Sequence, residues 1–153
     1  MSRTHGGGNA VSFDWQLSGD ALEIFKTSDP SYRNYTRNDL IQACRWLFST
    51  FGQGWFPLAN NVQLLGNGTE QNGLGVALYR IHPNTAYGQG ASYVGVVLEE
   101  LGLLEWNGAI NGICWRFTVC LECVEQVLMN AQVSSLPPHP FINNLAGRTN
   151  DNP

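Results

Sequence analysis

Cys120 and Cys123 stand three residues apart, with Cys114 six residues upstream. A Cys-x-x-Cys pair can hold zinc, cycle between dithiol and disulfide, or fill space in a core. Structural zinc takes four ligands, usually from two such pairs. Only one pair is present, so a fourth ligand would have to come from Cys44, His82 or His139. Positions 120 and 123 also share one turn of a helix whose core face they can fill. Free cysteine is among the most buried residue types, so the expectation is buried apolar thiols and no metal. Gly88-Gln89-Gly90 ahead of a helix is a composition that can cradle a phosphate. Its spacing fits neither the P-loop nor the dinucleotide fingerprint, and no Gly-Lys-Ser/Thr follows, so a flexible turn is expected. His5, His82 and His139 are scattered, the first and last in segments expected to be mobile. Ser92 has no base beside it in sequence, and Glu99, Glu100 and Glu105 fall where a solvated face is expected. These residues assemble no catalytic constellation in sequence. The expectation is a protein that is not an enzyme and carries no cofactor.

The elements that must position these residues are clearest over 74–119. Leu74, Leu78 and Ile81 mark a short helix opened by Thr69 and Glu70, followed by a Gly-rich connection. Val94, Val97, Leu98 and Leu101 then recur at the spacing of one helix face, predicting a helix over 91–101. Ser92 is its expected N-cap and Gly102 its left-handed stop. Leu103 and Leu104 begin a strand ending at Trp106, and Asn107-Gly108 and Asn111-Gly112 are turn dipeptides that bound a hairpin loop. On the return strand Ile113, Trp115, Phe117 and Val119 point one way and Cys114, Arg116 and Thr118 the other. Leu98 and Trp115 are expected to be buried against the helix at 37–51.

The order of short helix, turn, amphipathic helix, Gly stop and hairpin, with Leu98-Glu-Glu-Leu-Gly-Leu-Leu-Glu105 at its centre, resembles the third helix and wing of the winged helix-turn-helix superfamily. The resemblance covers about 45 residues, a pattern shared by many families. It implies an α+β, winged-helix-like domain with an N-terminal strand extension and a C-terminal helix. One departure is the long connection from Ile81 to Ser92, which holds Pro83, Gly88 and Gly90. A compact helix-turn-helix spans that step in about 3–4 residues. In winged helices the third helix enters the major groove. Carried onto this chain, the resemblance implies DNA contacts from Arg80, Gln89, Ser92, Tyr93 and Arg116. Between Arg80 and Arg116 there is no Arg or Lys, so this implication needs Arg33, Arg37 and Arg45 to converge on the same side.

The rest of the chain is read from pattern. Residues 1–9 are expected to be disordered, 10–133 to form one domain, and 134–153 to be a Pro/Asn-rich tail. Val11, Phe13, Trp15 and Leu17 alternate, predicting a strand over 11–17. Residues 21–26 fit a helical turn or a strand, and 27–35 reads as a loop around Asp29-Pro30. Thr36 with Asp39 starts a helix over 37–51, with Leu40, Cys44, Leu47, Phe48 and Phe51 on one stripe. Trp55, Phe56, Leu58 and Val62 form a broken extended segment, which Pro57 confines to an edge or a loop. A last helix is predicted over 121–132, with Val124, Val127, Leu128 and Ala131 sharing a face. Ser134-Ser-Leu-Pro-Pro-His-Pro140 breaks it, with Phe141, Ile142 and Leu145 beyond.

With 153 residues, the chain can bury about 68–70% of its extended surface on folding, so disulfides are not needed to hold a core. The net charge is −4 and Lys26 is the single lysine. That balance argues against a free-standing nucleic-acid binder, which needs cations against phosphate. No stretch approaches the roughly 18 apolar residues of a membrane span, and the first residues lack a signal-peptide core, so a cytoplasmic protein is expected. Tyr32, Tyr35, Trp55 and Phe56 are aromatic in segments that do not read as core, a composition common at interfaces. The functional expectation is therefore a non-enzymatic regulatory or adaptor module working through a protein partner or a homodimer. The alternative is a sequence-specific DNA-binding regulator using helix 91–101 and the 103–119 wing on double-stranded DNA.

Overall fold

The computed structural model describes residues 1–26 and 29–135, and it is an α+β fold. An antiparallel N-terminal sheet comprises β1 (Ser2–Arg3), β2 (Ser12–Ser18), β3 (Ala21–Lys26) and β4 (Asp29–Thr36), in that spatial order. The alternation of β2 puts Phe13, Trp15 and Leu17 inside, and β3 adds Leu22 and Ile24 to the same core. Two expectations fail here. Residues 1–9 are ordered: they carry β1 and a 3-10 turn at Gly7–Asn9, and Thr4 and Val11 are bonded to each other. The loop expected over 27–35 is in its described part the strand β4. Its weak apolar pattern is overridden by pairing with β3 from Ala21↔Thr36 onward, which also resolves 21–26 as a strand.

Helix α1 (Arg37–Phe51) follows without a break. Thr36 is extended, and its hydroxyl accepts from the Asp39 amide at 3.0 Å, the expected cap. Leu40, Ile41, Cys44 and Leu47 are buried on α1, which packs on two later helices, α3 (Leu74–Ile81) and α6 (Leu121–Asn130). Between α1 and α3 lie β5 (Phe56–Pro57) and α2 (Val62–Asn67). The segment around Val62 is thus partly helical where an extended run was expected. The Asn61 side chain, read as a turn-former, accepts from the Leu64 amide and caps it.

The long connection after α3 also contains a helix, α4 (Thr85–Gln89), started by Asn84. It is not a flexible Gly turn. Gly88 and Gly90 are both buried: a Cβ on Gly88 would meet Leu65 Cδ1 at 2.7 Å, and on Gly90 the Tyr35 hydroxyl at 1.9 Å. These glycines let helices and a strand approach closely. Next comes α5 (Ala91–Glu100), whose N-cap is Gly90, two residues before the expected Ser92, with no side-chain cap. Gly102 takes the left-handed conformation after it, with φ +80°.

Strands β6 (Leu104–Trp106) and β7 (Cys114–Phe117) form the expected hairpin, and β5 joins it. The spatial order is β5-β7-β6, so Pro57 sits on an edge strand. Helix α6 follows, with Val124 and Leu128 inside, and β8 (Val133–Ser134) pairs with β2 at Leu17 and Gln16. The chain thereby returns to its first sheet, where β1 and β8 share one edge of β2. Residues 136–153, with His139, Phe141, Ile142 and Leu145, lie outside the described residues. Leu98 and Trp115 are both buried, at 1% exposure each. Trp115 packs against Gly95 of α5. No helix among the described residues is long and apolar enough to cross a membrane.

Candidate functional site

Helix α5 is buried on nearly every side. Ala91 and the whole run from Tyr93 to Leu98 are inside. One side belongs to the core with Leu74 and Leu78 of α3. The other is covered by the N-terminal sheet. The Tyr93 ring stands edge-on to Phe13 at 5.0 Å and to Tyr32 at 5.5 Å, and its hydroxyl lies 3.2 Å from the Tyr32 hydroxyl. Tyr93, expected on an exposed face, is 6% exposed. Of the two glutamates at the C-terminal end of α5, both expected in solvent, Glu100 is exposed and Glu99 half-buried, and both hold the N-terminal arm. Glu99 Oε1 accepts from Trp115 Nε1 at 2.9 Å and lies 2.7 Å from His5 Nε2. Glu100 Oε1 accepts from the Ser2 hydroxyl at 2.9 Å and from Trp15 Nε1 at 3.1 Å. His5 stacks flat on Trp106 at 3.7 Å.

Of the other residues expected to touch DNA, Arg80, Gln89 and Arg116 have separate partners. Arg80 is exposed and lies over the Trp46 ring. Gln89 is exposed, and its carbonyl accepts from Asn60. Ser92 is half-buried. Arg116 pairs with Glu105 at 3.0 Å and covers the Trp55 ring at 4.6 Å. Arg33, Arg37 and Arg45 do not form one basic side. Arg33 donates to Tyr32 and to the Ala86 carbonyl. Arg37 is buried among the carbonyls of Gly19, Leu128 and Ala131, and Arg45 pairs with Glu125 of α6.

Of the four aromatics expected at an interface, two are core. Tyr35 is 1% exposed, with its hydroxyl donating to the Tyr87 carbonyl at 2.8 Å. Phe56 is 0% exposed, between Phe51 and Phe117. Tyr32 is half-buried, with Lys26 and Arg33 over its ring. Burial raises its phenol, yet hydrogen bonds from Tyr93 and Arg33 and the two cations bring it below the ordinary value. Trp55 alone stays on the surface, at 41% exposure. A groove of about 310 Å³ is lined by Leu58, Asn60, Glu70, Ile110 and Ile113 among others, and Ile110 is exposed.

Two further clusters stand out, the first not legible in sequence and the second legible as a pair but not in its exposure. Asp39, read only as part of a cap, accepts through Oδ2 from the Tyr87 hydroxyl and lies 2.9 Å from His82 Nε2. Burial, and then the Asp39 carboxylate, raise the Tyr87 phenol. Such a carboxylate–imidazole pair orients a ring nitrogen for proton transfer. Here it ties the α3–α4 corner to the first turn of α1. The second cluster is Cys120 and Cys123. The expectation that they fill the core fails: both are exposed, and Cys120 is the N-cap of α6. The core face of that helix belongs to Val124 and Leu128, one and five residues beyond Cys123.

Comparison with protein-family models, with curated proteins and with solved structures finds no match to this chain.

Proposed function

We propose that the chain is a non-enzymatic regulatory or adaptor module on a winged-helix-like scaffold, acting through protein–protein interaction around Trp55. The scaffold reading is supported by element order: a helix, a short strand, further helices, then a hairpin whose return strand β7 pairs with that short strand. The observation that carries the interaction reading is the cover on α5. The helix that a winged helix lays into the major groove is occupied here by the chain's own β1, β2 and β4. Trp55, by contrast, is an exposed indole with the Arg116 guanidinium stacked on it. Trp and Arg are the residues most enriched among interface hot spots, where water is excluded around them.

A second copy of the chain is the partner to test first. Light scattering over a wide concentration range should show mass rising towards two chains, and Trp55→Ala should shift that rise to higher concentration. A strict monomer at every concentration overturns the homodimer form and leaves a heterologous partner. The DNA-binding alternative draws support from the same element order and from the exposure of Arg80 and Gln89. Salt-sensitive binding to mixed genomic fragments at low ionic strength, weakened by Arg80→Ala, would favour it over the interaction reading.

A further inference from the structure

The exposed cysteine pair does not depend on the interaction reading around Trp55, and the redox activity argued for it would replace the non-enzymatic part of that reading. Cys120, extended at φ −69° and ψ 160°, caps α6, and Cys123 is the third residue of that helix. Their sulfurs are 3.1 Å apart. A disulfide brings sulfurs to about 2.05 Å, so the pair is about 1 Å from bonding distance while both thiols face solvent. The backbone sets this geometry, with no capping bond from the Cys120 side chain: residues at the N-cap and third helical positions lie one above the other across the first turn.

The other two cysteines are of a different kind. Cys44 is 1% exposed on α1, and burial pushes its thiol up to about 12. Burial raises Cys114 as well. Cys120 goes the other way. The Cys123 thiol beside it is the main cause, helped by the amides of Cys123 and Glu122 and opposed by desolvation and the Glu122 carboxylate. Cys123 is raised, chiefly by its contact with Cys120. The thiolate is the nucleophile in sulfur chemistry, and these directions favour ionisation at Cys120 over Cys123. Among the described residues, no group of three or more His, Cys, Asp or Glu that could hold a metal includes this pair.

We propose that Cys120 and Cys123 form a redox-active dithiol that reduces accessible disulfides, Cys120 attacking and Cys123 resolving. The Cys120 thiolate attacks one sulfur of R–S–S–R. A bond forms between Cys120 Sγ and that sulfur, and R–S⁻ leaves. Cys123 gives its proton to the departing thiolate and attacks Cys120 Sγ. The intramolecular disulfide forms, and the second R–S⁻ leaves, taking up the proton that Cys120 released on ionising. Two electrons and two protons pass to the substrate, which becomes two R–SH, and the substrate disulfide is the only oxidant consumed.

The test uses the full reduced chain, equilibrated with mixtures of glutathione and glutathione disulfide, quenched in acid, alkylated and mapped by peptide mass. The expected product is a Cys120–Cys123 disulfide, lighter by two hydrogens, with Cys44 and Cys114 still alkylated. Cys123→Ser should stop with one glutathione on Cys120, and Cys120→Ser should slow adduct formation at Cys123 by about tenfold or more. A parallel arm with insulin as the disulfide distinguishes a protein substrate from a small one, and reaction with either supports the proposal. It is overturned by absence of the intramolecular disulfide at every ratio, by Cys114 or Cys44 reacting as fast as Cys120, or by one zinc per chain held on the pair. The wild-type titration decides the matter should either serine variant fail to fold.

Discussion

Trp115 lies so close to Gly95 that the glycine has no room for a side chain. A Cβ there would stand 2.3 Å from Trp115 Cζ2 and 2.4 Å from Cη2. The same indole donates from Nε1 to Glu99 Oε1 at 2.9 Å, one turn further along α5. Strand β7 is therefore fixed to α5 by a contact and a hydrogen bond on one helix face. Glu99 in turn meets His5, so the N-terminal arm, α5 and the hairpin converge on one carboxylate.

Gly95→Ala should destabilise the fold. In an open helix the change would gain about 1 kcal/mol from helix propensity. Here the new methyl overlaps a fully buried ring, and overpacking costs typically about 1–3 kcal/mol. The overlap should exceed the propensity gain, giving a net loss in urea melts and a changed near-ultraviolet tryptophan signal. A variant as stable as the parent or more so would show that the hairpin does not rest on α5.

Arg37→Ala should be among the more damaging single changes on α1. Arg37 is 9% exposed and donates to the carbonyls of Gly19, Leu128 and Ala131 at 2.6, 2.9 and 2.7 Å. It joins the β2–β3 turn to the last turn of α6, whose end carbonyls have no intrahelical partner. The Leu128 carbonyl, left buried and unpaired, costs roughly 1–3 kcal/mol, and the part-buried carbonyls of Gly19 and Ala131 lose charge-assisted bonds as well, so a loss on the order of 3 kcal/mol is expected. Arg37→Lys, a point charge without the planar fork, should recover only part of it. Full rescue by lysine in denaturant melts would refute the three-carbonyl account.

Stability should fall in alkaline solution. Burial raises the Tyr35 phenol; burial and Asp39 raise that of Tyr87; burial lifts the Cys44 thiol to about 12. In the unfolded chain these groups titrate near 10.0 for the phenols and 9.0 for the thiol. Folded-state values above unfolded ones mean that the native state holds more protons at high pH. The contribution is thus complete below about pH 9 and is lost as pH rises beyond it. Urea midpoints should decline steadily from that point, with phenolate absorbance of Tyr35 and Tyr87 appearing only as the chain unfolds. Early, non-cooperative phenolate titration with constant midpoints would contradict this.

How much of this was legible in sequence depended on how local the cause was. Helix α1 was readable because Leu40, Cys44 and Leu47 recur on one face and Thr36 and Asp39 make the cap within one turn. The β6–β7 hairpin was readable from Asn-Gly dipeptides and alternation. The cover on α5 was not. Tyr93 and Glu99 look like solvent residues, and the exposed Glu100 looks unpartnered, until partners far away in sequence arrive: Glu100 meets Ser2 and Trp15 across 98 and 85 positions. Asp39 and His82 are 43 positions apart. Short α2 and α4 were hidden because Asn61 and Asn84, equally good in turns, serve as caps. The cysteines misled for a related reason. Periodicity puts 120 and 123 on one face, but it does not say whether that face is turned to the core.

Trp55 and Phe56 are neighbours with opposite environments, and their alanine variants should separate an interface role from a core one. Phe56 is 0% exposed, packed at a tilt between the rings of Phe51 and Phe117 and paired across the sheet with Trp115. Phe56→Ala should cost about 3–5 kcal/mol, as removal of a buried ring does. Trp55 is 41% exposed, and its ring meets the Arg116 guanidinium at 4.6 Å. A cation–π contact at an exposed site is worth about 0.5–1 kcal/mol, so Trp55→Ala should cost no more than about 1 kcal/mol in melts of the monomer at low concentration. Its larger effect should lie in association, measured as the concentration at which scattering mass begins to rise. A Trp55→Ala loss as large as that of Phe56→Ala, with association unchanged, would assign Trp55 to the hydrophobic core and remove it from the docking surface.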